Sequence, residues 1–441
     1  MAPARSRFAR SRTRAGEAES RVPPPEVSAL VEHLFRHSAG QMVSRLACWL
    51  GAARLDLAEE AVQDALVRAL STWPFSGVPA EPRAWLFQVA RNRALDLLRR
   101  EASLRGKLEG LVEACGEPPL ALAQTPALGD DELAMMFMCC HPSLPPPARV
   151  ALTLKTVGGF SVEEIAAAFL AEPDAIAQRL VRAKHQIRDQ AIAIEIPPES
   201  ELGSRLESVL DVLYLLFNEG YSAHGGENLT RAELCGEAIR LAEILAESRA
   251  TDLPVVHALL ALMLLQASRL PARVDEAGDL LLLAEQDRGA WDRELIARGL
   301  RHLERAASGT AMTAYHVEAA IAATHAVAPD EASTDWGYVL QLYDDLLAIK
   351  PSPVVELNRA IALAMAEGLE AGIAAIGRIE ADPALARYYL LPAALGRLWL
   401  ETGDPKRAAQ YYEEALARPC SAPERRFLER QLTKCRRPAP R

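Results

Sequence analysis

Residues 81–101 read EPRAWLFQVARNRALDLLRRE, and the spacing of their apolar side chains admits one kind of local structure. Leu86, Val89, Ala90, Ala94 and Leu97 recur at three- and four-residue steps. On a helix they share one face, whereas a half-buried strand needs strict alternation. The same period returns along the chain. Half of the residues are apolar but only 5% are aromatic, Ala and Leu are abundant, and β-branched runs are few, so the expected fold is all-α. With 441 residues the chain outgrows a single core, and about three domains are expected.

The other face of the same helix carries chemistry. Trp85, Gln88, Asn92, Asp96 and Arg99 follow one another at helical steps, so an aromatic ring, two amides, a carboxylate and a guanidinium form a narrow stripe. Stacking a base, bonding base edges and holding a phosphate are what single-stranded nucleic acid asks of a surface. A solvated polar face is the bland alternative for any such helix, and half-buried packing is the bland alternative for Trp85.

Punctuation divides the chain. Residues 1–25 are rich in Arg, Ser and Pro and are expected to be a disordered basic tail without a secretory h-region. A helical block follows over 26–101, with helices near 27–52 and 57–71 and a turn-rich loop, TWPFSGVPAEP, over 72–82 before the polar-striped helix. Residues 102–129 gather Gly, Pro and Glu as a linker. In the block 130–197, Pro145–Ala148 open a helix, Gly158 and Gly159 turn the chain, and Ser161 with Glu164 forms a capping box. After a break at 171–173, Pro173 starts a longer helix. Helix, short turn, helix of this size is a helix-turn-helix. Its second helix puts Ile176, Leu180, Ala183 and Ile187 on a core stripe and turns Gln178, Arg182 and His185 outward, flanked by Arg179, Lys184 and Arg188. Amides and guanidiniums suit base edges in a major groove, and cations suit phosphates. Residues 198–441 are a run of amphipathic helices, and LGRLWLETGDPKRAAQYYEEALARP at 395–419 is spaced like a tetratricopeptide helix pair.

A net charge of −10 looks wrong for a nucleic-acid binder until it is divided. Residues 1–199 hold 23 Lys and Arg against 24 Asp and Glu, and residues 200–441 hold 26 against 35, so the acidic excess lies in the second half. The seven cysteines, at 48, 115, 139, 140, 235, 420 and 435, show no paired spacing, which points to free thiols in a reducing compartment. Cys139, Cys140 and His141 are adjacent, but adjacent ligands without a second pair make poor zinc geometry, and packing is the expected role. No apolar run of membrane-spanning length is expected, the nearest being 255–265. Neither a cofactor motif nor a catalytic constellation is found, so no cofactor, no metal and no enzymatic activity are expected.

A base-reading helix, a linker and a helix-turn-helix together form the layout of a bacterial extracytoplasmic-function (ECF) sigma factor. The segment LAEEAVQDALVRAL (57–70) resembles the helix that docks on the RNA polymerase clamp, and PRAWLFQVARNRALDLLRR resembles regions 2.3 and 2.4. Residues 148–188 resemble region 4. Further on, VLYLLFNEGYSAHGG, LCGEAIRLAEIL and QDRGAWDRELIARGL are similar to the long C-terminal extension of the subgroup often called ECF42. The resemblance implies roles. Glu60, Gln63 and Asp64 would contact core RNA polymerase, whose clamp and flap regions are the expected partners. Trp73, Phe75 and the rest of the 73–82 loop would surround a flipped base of the −10 element with Asn92 and Asp96, and Arg91, Arg93, Arg99 and Arg100 would follow the strand backbone. Gln178, Arg179, Arg182, Lys184 and His185 would read the −35 element.

The implied function is promoter-specific initiation in the cytoplasm, with promoter DNA as second partner, no membrane, and the extension regulating or supporting the sigma portion in cis. Its repeat surface would suit a protein partner. The alternative is a helix-turn-helix regulator with a ligand- or protein-sensing repeat domain, which would bind duplex operators as a dimer. For the FNEGY stretch at 217–221, packing weighs above recognition, with Gly220 placed just past a helix end.

Overall fold

The computed structural model describes residues 25–105, 128–169, 171–221, 230–275 and 278–436. Within them the protein is built from helices: α1 Pro25–Leu50, α2 Leu55–Ser76, α3 Pro82–Arg105, α4 Leu128–Cys139, α5 Pro146–Thr156, α6 Val162–Ala168 and α7 Pro173–Asp189. The second half continues with α8 Glu199–Tyr221, α9 Ala232–Glu247, α10 Pro254–Ala267, α11 Arg293–Ala306, α12 Ala314–Val327, α13 Trp336–Ile349, α14 Pro353–Glu367, α15 Leu369–Ile379, α16 Leu390–Glu401, α17 Pro405–Leu416 and α18 Ala422–Arg436. The fold is all-α. The tail at 1–24 and most of the expected linker, 106–127, lie outside the described residues. Residues 102–105 and 128–129, assigned to the linker from composition, instead belong to the ends of α3 and α4.

Local chemistry explains most helix starts. Proline occupies the first turn of α5, α7, α10, α14 and α17, where its missing N–H leaves no bond unmade. Asp292, Asp335 and Asp404 cap α11, α13 and α17 by accepting from backbone N–H groups. On α6 the capping box is complete: Glu164 N–H donates to Ser161 Oγ at 3.0 Å, and Ser161 N–H donates to Glu164 Oε2 at 2.8 Å.

One apolar core runs from Val31 on α1 to Ala267 at the end of α10 and takes in every helix between. The two sigma-like blocks and the first part of the second half therefore share an interior. Smaller cores then succeed one another, through α10–α12, α12–α14, α14–α16 and α16–α18, each helix pair burying its face against the next. The helix Pro254–Ala272 is long and apolar enough to cross a membrane by length and composition, which the expectation from 255–265 had missed. Its 72% burial marks it as a core helix.

Three contacts lock α1–α2 against α4–α7. Gly40 on α1 lies so close to the turn after α5 that an added Cβ would stand 1.8 Å from the Val157 carbonyl oxygen. Arg45 faces Asp131 at 3.9 Å. Lys184 of α7 reaches Asp56 and Glu59 of α2. The second half is bolted to the helix-turn-helix block through arginines: Arg240 pairs with Glu132 at 3.0 Å, Arg205 donates to the Phe137 carbonyl at 2.9 Å, and Arg231 donates to the Ala168 carbonyl.

The FNEGY residues sit at this joint. Gly220 is inside α8 and not beyond its end, because α9 starts against it and a Cβ there would meet Cys235 N at 2.8 Å. Phe217 is buried and stacks on Tyr221 at 5.8 Å, Glu219 pairs with Arg231 at 3.0 Å, and Arg273 lies over the Tyr221 ring at 3.8 Å. Phe217, Gly220 and Tyr221 are thus engaged by packing and Glu219 by an ion pair within the joint.

Candidate nucleic-acid and polymerase interface

The α2–α3 hairpin shapes the first site. Leu86, Ala90, Ala94 and Leu98 of α3 are buried, at four-residue steps, so the core stripe uses Leu98 where the sequence suggested Leu97. Val89 is partly buried against the core, as assigned, and also joins Asp64, Arg68, Trp85, Asn92, Arg93 and Asp96 in lining a cleft of about 480 Å³ between the two helices.

Trp73 corrects the expected loop. α2 continues through Pro74 to Ser76, so the connection is only residues 77–81, and Trp73 is a helical residue 1% exposed. Its ring packs on Trp85 with centroids 5.4 Å apart, and its indole N–H has no acceptor among the described residues. Trp73 is core and cannot stack on a base in this arrangement. Phe75 can: it is 76% exposed at the end of the same helix. Trp85 is half-buried against the core and lines the cleft.

The remaining residues divide by partner. Asn92 is exposed and its Oδ1 accepts from Gln88 Nε2 at 3.1 Å, which orients the amide. Arg99 and Arg100 are exposed, with Arg99 3.4 Å from Asp96, a contact worth little in water. Arg91 is half-buried, and its Nε is covered without an acceptor. Arg93 departs from expectation. Its guanidinium bonds Asp64 and lies 3.3 Å from Glu60, so the residue assigned to the DNA strand is joined to two residues assigned to polymerase. Gln63 stands exposed beside them.

The second site is α7. Ile176, Leu180, Ala183 and Ile187 are its buried face, and Gln178, Arg182 and His185 are exposed, with Arg179 half-covered. Lys184 is the correction. Its ammonium lies 2.6 Å from Asp56 and 2.8 Å from Glu59, with the Lys184 side chain 15% and the Glu59 side chain 14% exposed. Burial acts to lower the Lys184 pKa, and the Glu59 and Asp56 carboxylates outweigh it, so the net shift is upward and the cation is held. Among the described residues, no carboxylate from 199–436 pairs with a cation of α7, so the acidic second half does not cover this face by charge.

Asp56, Glu59, Arg68 and Val89 were missed in the sequence. A signal was present for the first two: Asp56, Glu60 and Asp64 step by four along one helix, and Glu59 stands three residues from Asp56, so α2 carries a regular acidic edge. Cys139 and Cys140 are buried and bonded to Thr156 and Thr153 at 3.0 and 3.4 Å. Burial pushes both thiols up, Cys140 to about 12, so they pack as neutral groups on α5.

Comparison with known proteins decides the family. The model for sigma-70 region 2 matches residues 36–104, and that for sigma-70 region 4 matches residues 134–187, the two sites just described. The chain is an ECF-like sigma factor. It is 30% identical over 162 residues to the ECF RNA polymerase sigma factor SigE of Mycolicibacterium smegmatis, a match covering 36% of this chain and 60% of that protein. Over 382 residues it is 38% identical to Uncharacterized protein R00370 of Rhizobium meliloti, covering 86% of this sigma factor and 90% of the relative. Residues 205–307 match a family of unknown function, DUF6596. No solved structure matches.

Proposed function

We propose that this sigma factor binds core RNA polymerase and directs initiation at a subset of promoters, without catalysing a reaction itself and acting in the cytoplasm. Glu60, Gln63 and Asp64 meet the polymerase clamp, and region 4 meets the flap. Phe75, Asn92, Arg99 and Arg100 hold the −10 strand, while Gln178, Arg179, Arg182 and His185 read the −35 duplex. The observation that carries this reading is that one chain exposes an aromatic and amide surface on α2–α3 and an amide and guanidinium surface on a capped helix-turn-helix.

The helix pairs α14–α15 and α16–α17 with their separate small cores support reading the extension as tetratricopeptide-like, of the ECF42 kind. We assign it a role in cis, and its repeat surface is open to a protein partner.

The arrangement in the free chain is a closed one. Elements centred at −10 and −35 lie about 25 base pairs apart, about 85 Å at about 3.4 Å per pair. Here Lys184 of the −35 reader touches Asp56, and Asp64, bonded to Arg93 beside Asn92, is two turns further along α2, about 12 Å. Recognition of both elements therefore requires region 4 to leave region 2. The extension holds region 4 in place through Arg205, Arg231 and Arg240, and regulation in cis consists of setting how readily that release occurs.

The test is transcription reconstituted from core polymerase and the full chain. Asn92→Ala and Gln178→Ala are each expected to reduce promoter-specific initiation while leaving polymerase binding intact. Operator binding without polymerase, in the absence of any initiation, would favour the helix-turn-helix regulator reading instead.

A further inference from the structure

Where α8, α10, α12, α13 and α14 converge, the extension holds a cleft of about 380 Å³ that promoter and polymerase recognition leave unused. Tyr214, Gln266, Glu318, Tyr343, Lys350 and Asn358 bring polar groups to it. At its centre is a carboxylate. Glu318 accepts a hydrogen bond from the Tyr214 hydroxyl at 2.9 Å, and the nearest cation, Lys350 Nζ, stands 4.0 Å from its other oxygen. The Glu318 side chain is 18% exposed and that of Lys350 51% exposed.

This is an under-neutralised acid. A buried carboxylate is stable when a cation and several donors satisfy it, and here the cation is at the outer limit of an ion pair. Burial raises the Glu318 pKa against the opposing influence of Tyr214 and Lys350. The same negative field, added to burial, pushes the Tyr343 phenol up to about 12. Lys350 also lies over the face of the Tyr214 ring, 5.3 Å from its centre. A carboxylate and an aromatic face converging on one point are the elements of an organic-cation site. Lys350 ends α13 on a long flexible stem, so its ammonium is a removable occupant of that point. A cavity of this size matches a small ligand.

We propose that the cleft binds a small organic cation, a primary ammonium or a guanidinium, whose charged head displaces Lys350 from between Glu318 and the Tyr214 ring. Gln266 and Asn358 are the polar groups available to the rest of the ligand. Because Tyr214 is on α8, the helix that carries Phe217 and Gly220 to the region 4 joint, such a ligand would tie α12–α14 to the element that bolts the sigma portion. The site does not depend on which residues read the promoter.

Calorimetric titration of the full chain with putrescine and with agmatine tests the proposal, with 1,4-butanediol as the neutral counterpart. One saturable site is expected for at least one of the cations and none for the diol. Glu318→Gln, nearly isosteric, is expected to weaken binding at least tenfold. Lys350→Met removes the internal competitor at an exposed position and is expected to tighten binding several-fold. The proposal is overturned by no saturable binding of either cation at millimolar concentration, by Glu318→Gln binding as the parent does, or by Lys350→Met losing binding.

Discussion

Lys184 of α7 donates to Asp56 at 2.6 Å and to Glu59 at 2.8 Å, so region 4 is fastened to region 2 by a cation held between two carboxylates of one helix turn. Glu59 is the costly partner: it is nearly covered, and one of its oxygens is buried without another hydrogen bond. Lys184→Met would strand that charge at a cost of about 3 kcal/mol. The expected outcomes are a lower urea midpoint and a longer distance between fluorophores on regions 2 and 4. An unchanged distance would show that the triad does not hold the domains together.

Gly40 offers an independent lever, since it touches neither DNA-reading face. In an isolated helix Gly→Ala stabilises by up to about 1 kcal/mol. Here the added carbon would fall 1.8 Å from the Val157 carbonyl oxygen, so the domains must part or the backbone must shift. Gly40→Ala is expected to lower the melting temperature and raise the radius of gyration in small-angle scattering. A more stable, equally compact variant would disprove the tight approach.

Phe75 and Trp73 are two residues apart and should behave oppositely. Phe75→Ala removes an exposed ring and is expected to leave the melting temperature within a degree or two while weakening −10 strand binding by about 1–3 kcal/mol, measured with labelled single-stranded DNA. Trp73→Ala empties a core position and is expected to cost about 3–5 kcal/mol of stability.

His325 gives the extension an acid-side weakness. Burial, with Arg269 and Arg288 adding to it, lowers its pKa from 6.5 to about 4. Between those values the unfolded chain takes up a proton that the folded one refuses, so this contribution to stability is intact above pH 6.5 and is lost as the pH falls toward 4. His325 packs edge-on against Trp336 with a buried ring nitrogen lacking a partner, so Leu is a fair replacement. His325→Leu is expected to match the parent at pH 7.5 and to lose less stability at pH 5 in urea titrations. Parallel pH profiles would remove His325 as the cause.

The helix-turn-helix was legible nearly to the residue. Its signals are local: a capping box, a proline at a helix start, and four apolar side chains at helical steps suffice to place Ser161, Pro173 and the Ile176–Ile187 stripe. Trp73 was misread because Pro74 and Gly77 look like the opening of a loop, whereas Pro74 is tolerated near the end of α2 and the ring is drawn inward by Trp85. The ion pairs of Arg93 and Lys184 were not legible for another reason. A cation on a reading helix announces its charge but not its partner, and both partners come from α2, across 29 residues for Asp64 and 128 for Asp56. Helical period carries no information about contacts of that range.

The continuous core from Val31 to Ala267 has a consequence for how the molecule is made. Synthesis proceeds from the N-terminus, so regions 2 and 4 leave the ribosome before α8, α9 and α10 exist to cover them. Until those helices arrive, the apolar faces of α4 and α5 stay open to solvent and to chaperones, and the promoter-reading part of the chain matures only when its extension does.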